Sequence, residues 1–402
     1  MIYDVKVLPR GIRLTFGGYN DKLKEFASYV SKKLSSGNGF LPKDDREFGR
    51  YQDQLMRGLA AFDVKQPYAH ASYYAQLTLQ PRKFQYSNQE LREATRKIAL
   101  PDLVLYADTL WSSGKGEALV QGNFNKDEAL DLVKTIDSVL PFRPIPSSEY
   151  PPRLEALPLP VSSADEPPTQ LSIAEPNPAN SNSVSHVMIQ SLGKSEKDHV
   201  LIELISSIVE EPFYNELRTK QQLGYIVASG LKGVAGTRTL TFIVQSSVAP
   251  AEKLSLEILR FLDTVEERLL QKLPKADIAV YVKSLIDRKT EPDKDLAIEV
   301  TRNWSEIASG RLQYDRIQKE AAALLSIEKE DLLNFWKRIY SGSGRRVLVT
   351  EMIPLLGVAA SKLPPISATG ALSSNGVFLG IDDVAQFRSD REKLLLDQET
   401  SE

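Results

Sequence analysis

The stretch NELRTKQQLGYIVASG, Asn215 to Gly230, changes its periodicity in the middle, and that change sets the fold class. Up to Gln222 it continues a helical pattern, whereas from Tyr225 the pairs Ile226/Ala228 and Val227/Ser229 alternate as in a half-buried strand. Gly224 supplies a permissive stop between the two. Arg218 thus falls near the negative end of a helix and Tyr225 at the head of a strand. Two readings of this pair stand open. In the structural one, Arg218 complements the helix macrodipole for ~0.3–1 kcal/mol and Tyr225 is an ordinary sheet residue. In the functional one, the rigid guanidinium and the phenol point together into a cavity and hold a substrate carbonyl, where negative charge develops under attack. That role is accessory and requires a nucleophile from elsewhere.

Working outward, the flanking sequence predicts a strand at 184–190, helices at 196–209 and 212–222, the latter opening with Pro212 at its tolerated first position, and strands at 225–231 and 239–246. Helices follow at 251–271, 275–288, 295–309, 315–324 and 329–340, with a strand at 346–351. Further upstream lie a strand at 13–18, helices at 21–34, 44–61, 67–79, 88–98, 101–111 and 126–140, and a strand at 117–123. The two groups are separated by PFRPIPSSEYPPRLEALPLPVSSADEPP, whose nine prolines in 28 residues exclude regular helix and central strand. The chain therefore divides into an α+β domain at 1–148, a proline-rich linker at 149–168, a second α+β domain at 169–363 and a weakly patterned tail at 364–402. Shifted by 229 positions, DLVLYADTLWSSGKGEALV from Asp102 aligns with DLLNFWKRIYSGSGRRVLV from Asp331, so a helix-turn-strand unit recurs and implies two homologous domains of mixed or antiparallel sheet packed with helices.

With 402 residues the chain exceeds a single core, and 42% hydrophobic with 26% charged residues is a soluble globular composition with no apolar run long enough for a membrane span. Fifty basic against 53 acidic residues leave a formal charge of −3, which argues against a nucleic-acid partner. The absence of cysteine excludes disulfides, thiolate metal sites and a cysteine nucleophile, and with no readable targeting signal the expected compartment is the cytoplasm. The abrupt entry into the strand at 13–18 predicts a piece of a longer chain whose first domain lacks its opening strands.

No self-sufficient catalytic motif is present. The three histidines, His70, His186 and His199, form neither H-E-x-x-H nor H-x-x-E-H and read as ordinary polar or core residues, so no metal site is expected in this chain. G-x-S-x-G, Walker A and G-x-G-x-x-G sequences are also absent, and adjacent carboxylate pairs such as Glu210/Glu211 point apart on regular elements.

The runs EEPFYNELRTKQQLGYIVASG from Glu210 and TLTFIVQSS from Thr239 resemble the C-terminal, non-zinc half of the insulysin or pitrilysin type of inverted-motif zinc metallopeptidases. GYNDKL from Gly18, KQPYAHASYYAQL from Lys65, LVQGNFNKDEAL from Leu119 and NWSEIASGRLQYDR from Asn303 extend the resemblance to about residue 350. It implies half of a clamshell peptidase for short or unfolded peptides, in which zinc and the water-activating glutamate belong to an N-terminal half absent here. This half would be inactive alone, would close the chamber and would present Arg218 and Tyr225 to the substrate backbone. The implied partners are peptide substrates and the zinc-bearing half, with a homodimer in the full-length enzyme. The alternative is a separately encoded, non-catalytic partner subunit of such a peptidase.

Overall fold

The computed structural model describes residues 1–36, 40–140, 142–150, 155–163, 165–234, 236–357, 378–379 and 383–399. The chain has the α+β fold that the sequence implies. It forms two compact units, Met1–Ala60 with Tyr86–Arg153 and Pro292–Gln313, and Ala61–Gln85 with Leu154–Glu291 and Tyr314–Glu402. The units are discontinuous, so the linear division at 149–168 does not describe them: residues 61–85 pack with the second unit and 292–313 with the first.

The first unit opens with an antiparallel hairpin of β1 (Ile2–Leu8) and β2 (Gly11–Gly17). β1, where Tyr3, Val5 and Val7 alternate with Asp4 and Lys6, lies upstream of the strand expected at 13–18. Phe26 of α1 (Asn20–Ser35) joins the hairpin through Tyr3 and Phe16, at ring-centroid separations of 6.3 and 6.4 Å. The other helices are α2 (Asp45–Ala60), α4 (Asn88–Lys97), α5 (Leu100–Leu110), α6 (Lys126–Val139) and α10 (Leu296–Ala308). Reciprocal capping boxes, Ser87 with Glu90 and Asn125 with Glu128, start α4 and α6 by satisfying backbone donors left free in the first turn. The Gln52 side chain ties α2 to α4 by donating to the carbonyls of Thr95 at 2.7 Å and Ile98 at 3.1 Å.

The strand expected at 117–123 is irregular chain instead. Gly122 and the polar residues Glu117, Gln121 and Asn123 give it little to bury, and among the described residues the pairs β3 (Ser113–Gly114) and β4 (Arg143–Pro144) form a small parallel ladder nearby. Its contact is with α10, where Asn303 donates to Gln121 Oε1 at 3.1 Å. Of the recurring helix-turn-strand unit, the helix forms in both copies and the strand in the second alone.

The second unit is built on a six-stranded mixed sheet ordered β10-β5-β9-β6-β8-β7. Its strands are β5 (Thr169–Ala174), β6 (Ser183–Ser191), β7 (Ile226–Val234), β8 (Thr237–Ser246), β9 (Val347–Ile353) and β10 (Phe378–Leu379). Every residue of β6 and β9 is buried, because both faces of these inner strands are covered. Along β6, Val187 and Ile189 join a core with α7 (Glu196–Tyr214), α8 (Ala251–Thr264), α9 (Lys275–Thr290), α11 (Arg316–Leu325) and α12 (Lys329–Trp336). Val184 and Met188 point the other way, toward α3 (Pro67–Thr78) and α13 (Val384–Glu399). Each fully buried aliphatic or aromatic side chain there stabilises the fold by about 1.5–3 kcal/mol.

The described part of the proline-rich segment is a strap packed on this unit. Leu157 donates its N–H to the Leu79 carbonyl at 2.8 Å, and Leu159 donates to Gln190 Oε1 at 2.8 Å. The sequence tail contributes β10 and α13, while its residues 364–377 lie outside those described. Among the described residues no helix is long and apolar enough to cross a membrane.

Candidate functional site

The break predicted at Pro212 does not occur. α7 continues through it to Tyr214, since proline forfeits one ladder bond while Val209 and Phe213, both fully buried, hold the helix in place. The helix then widens into a π-turn over Asn215–Lys220, in which Gln221 donates its N–H to the Glu216 carbonyl at 3.0 Å. Leu223 donates to the Leu217 carbonyl at 3.0 Å and closes the helix.

The left-handed residue at the exit is Gln222, with φ of 54°, and not Gly224. Gly224 is required for space: a Cβ there would stand 2.0 Å from the carbonyl oxygen of Gln245 on β8. This close approach of the turn to the sheet delivers Tyr225 to the head of β7.

The structure brings Arg218 and Tyr225 together. The guanidinium carbon lies 5.2 Å from the centroid of the phenol ring, a cation–π arrangement in which the ring fixes the direction of the fork. Tyr225 is 86% exposed, and among the described residues neither its hydroxyl nor the guanidinium has a hydrogen-bond partner. The neighbouring carboxylate is already engaged, since Glu216 accepts from Lys220 at 2.9 Å and from Gln221 at 3.4 Å, and the contact with Lys220 lowers its pKa. A paired cation and hydroxyl with free donor capacity can hold a carbonyl oxygen or a carboxylate.

The histidines do not converge on a metal site. His70 is fully buried on α3, with Nδ1 3.0 Å from Glu175 and Nε2 2.7 Å from the Phe62 carbonyl. Burial alone would lower its pKa, but the contacts with Glu175 and Phe62 outweigh that and raise it. His186 on β6 is pushed down to about 4 by burial and is therefore neutral near pH 7. His199 Nδ1 stands 3.5 Å from Glu320, at the limit of a hydrogen bond. Among the described residues no group of three or more His, Asp or Glu side chains could hold a metal ion, so the residues present do not fit zinc.

Sequence reasoning missed a charged cluster beside α7. Glu320 is 3.0 Å from Arg238, 2.6 Å from Lys289 and 3.2 Å from Arg316, and Lys289 also lies 2.6 Å from Glu203. Burial would raise the Glu320 pKa, yet His199, Lys289 and Arg238 hold it well below the usual carboxylate range. Burial in turn lowers the Lys289 pKa, partly offset by Glu320. These residues come from α7, β8, α9 and α11, and apart from the i,i+4 pair Arg316/Glu320 no spacing along the chain announces their meeting.

Comparison with known proteins shows what the chain as a whole is similar to. Residues 1–94 match the family model described as the middle or third domain of peptidase M16, and residues 204–304 match that of the C-terminal lobe domain 4 of PQQ synthase PqqF-like proteins. Insulin-degrading enzyme from Homo sapiens is 29% identical over 365 residues, covering 88% of this chain and 35% of that protein. The chain thus spans about a third of the length of the relatives it matches. A crystal structure of pitrilysin superposes with a TM-score of 0.77 at 17% identity, covering 96% of this chain and 38% of the other. The structure titled peptidase M16 inactive domain, from Pseudomonas fluorescens, has a TM-score of 0.53 at 11% identity and is covered over 73% of its own chain.

Proposed function

We propose that this chain, a homologue of the M16 peptidases spanning part of their length, is the non-zinc half of an insulysin-type metalloendopeptidase that degrades short or unfolded peptides. In this reading zinc and the water-activating group belong to a part outside this chain, which supplies the hydrolytic chemistry. This chain is inactive alone and contributes closure of the chamber and contacts to the peptide backbone. The observation that carries the reading is the Arg218–Tyr225 pair: an exposed phenol whose ring lies 5.2 Å from a guanidinium, both with free donors among the described residues. Such donors act where charge develops on the carbonyl under attack.

The test is hydrolysis of a fluorogenic peptide by this chain alone, and by this chain mixed with the zinc-bearing half. Activity is expected only on mixing, with a fall of about 10² on Arg218→Ala or Tyr225→Phe, the scale of a lost oxyanion donor. Full activity in both variants would make the pair structural, and cleavage by this chain alone without zinc would reject the reading.

A second reading, a separately encoded non-catalytic partner subunit, draws on the Pseudomonas fluorescens neighbour, in which a related fold fills most of one chain. A zinc motif upstream in the same reading frame would decide against it.

A further inference from the structure

The long open edge of the second unit's sheet is β7. It ends the strand order, and among the described residues no strand pairs with its outer side along nine residues. A bare edge of that length invites pairing with another chain, and proteins ordinarily blunt it with proline, bulges or several charges. In β7 there is no proline and one charged residue, Lys232. At Gly230 and Gly233 an added Cβ would meet nothing within 4 Å.

Beside this edge lies a cleft of about 400 Å³, lined on the strand side by Ser229, Gly230 and Leu231 and on the helix side by residues including Glu210 of α7 and Arg288 of α9. Val227 begins the same face and is buried in the core, so Ser229 and Leu231 follow it at the two-residue period of a strand. The Ser229 hydroxyl is buried yet lacks a hydrogen-bond partner, an arrangement that a bound polar group would complete. Arg288 and Glu210 are exposed at the rim, and among the described residues neither is in an ion pair.

We propose that β7 accepts an extended, unstructured peptide as an added strand, with its backbone on the free edge and every second side chain over the cleft. A rim carrying both charges and a lone hydroxyl suits the alternating polar groups of a peptide. The head of β7 is Tyr225, so the added strand leads directly to the Arg218–Tyr225 pair. Main-chain hydrogen bonds supply the affinity in such strand addition, and the side-chain cleft supplies the selectivity. The inference deepens the peptidase-half reading and rests on it.

The experiment uses the full 402-residue chain, titrated calorimetrically with a short unstructured peptide of Ser, Thr, Val, Lys and Glu. Two isomers of that peptide are N-methylated at alternate nitrogens, one at odd and one at even positions. Strand addition predicts that one isomer binds ~10-fold or more weakly, as expected for losing two backbone hydrogen bonds, while the other binds like the parent. Hydrogen exchange within Ile226–Val234 should slow on adding the parent peptide.

Equal affinity of the two isomers, no slowing in β7, or no binding would overturn the inference. Slowing that instead tracks dimerisation of the chain, measured by sedimentation, would assign the edge to a second copy and overturn it too. The mixing assay judges the peptidase-half reading separately. Zinc-dependent activity with Arg218 and Tyr225 required, but no isomer difference, would leave that reading standing.

Discussion

The second unit buries β6 and β9 in full, whereas in the first unit α2 and α5 contain no buried residue. Leu55 on α2 is 53% exposed and Leu105 on α5 is 68% exposed, while Phe242 on β8 is fully buried and packs edge-on against Phe213 at 5.0 Å. Similar apolar residues therefore have different energetic roles in the two regions. In the second unit they are interlocked between sheet and helices, where removing atoms leaves a void. On α2 and α5 they remain in contact with solvent, so truncating one of them leaves no sealed void.

The sharpest way to break this comparison is to truncate one residue in each region and follow urea unfolding. Phe242→Ala should cost about 3–5 kcal/mol, the range for emptying a buried aromatic site. Leu55→Ala should stay within about 0.5 kcal/mol, as for surface substitutions. Equal losses would mean that the first unit relies on α2 as heavily as the second relies on its core.

A smaller effect sharpens the contrast inside the second unit, between its core and the turn at its sheet edge. Gly224→Ala reduces the freedom of the unfolded chain, which alone would stabilise by about 0.4–1 kcal/mol. Against that stands a Cβ at 2.0 Å from the Gln245 carbonyl, which forces the turn or β8 to move. Overpacking typically costs about 1–3 kcal/mol, so a net loss of stability is expected. Tyr225, the next residue, should move with the turn, and activity with the zinc-bearing half should fall more than stability does. A variant as stable as the parent would show that the turn can retreat from β8 without strain.

Much of this was legible locally. The periodicity around Tyr225 indicates a helix handing over to a strand, while the residues alone leave the Arg218/Tyr225 pair between a structural and a functional reading; their 5.2 Å approach is visible only in the fold. The details of the turn were not legible either, because Gly224 is needed for its distance to Gln245 and the left-handed conformation falls on Gln222. The first of these depends on a strand about twenty residues away. The assignment of segments to units was illegible for the same reason. PYAHASYYAQLT reads as a helix from its own sequence, but nothing in it says that Ala71, Ala75 and Leu77 pack with Leu171, Val184 and Met352. The strand expected at 117–123 failed because a short apolar run flanked by polar residues and without a partner strand does not make a sheet.

The smallest predicted effect tests that reassignment of α3 through pH. His70 on α3 meets Glu175, just beyond β5, in a pair sealed from solvent. Its folded pKa lies above the ordinary 6.5, since Glu175 and the Phe62 carbonyl overcome the burial that would lower it. The charged contact therefore stabilises the fold fully below about pH 6.5 and loses that contribution as pH rises through the folded value. His70→Gln should be less stable than the parent at pH 6, with the gap narrowing by about 1 kcal/mol toward pH 9, the difference between a charge-assisted and a neutral hydrogen bond. Urea midpoints measured across that range decide the matter. A gap that is constant with pH would mean that His70 acts through shape alone, and that residues 61–85 are held to the second unit by their apolar contacts without help from the ion pair.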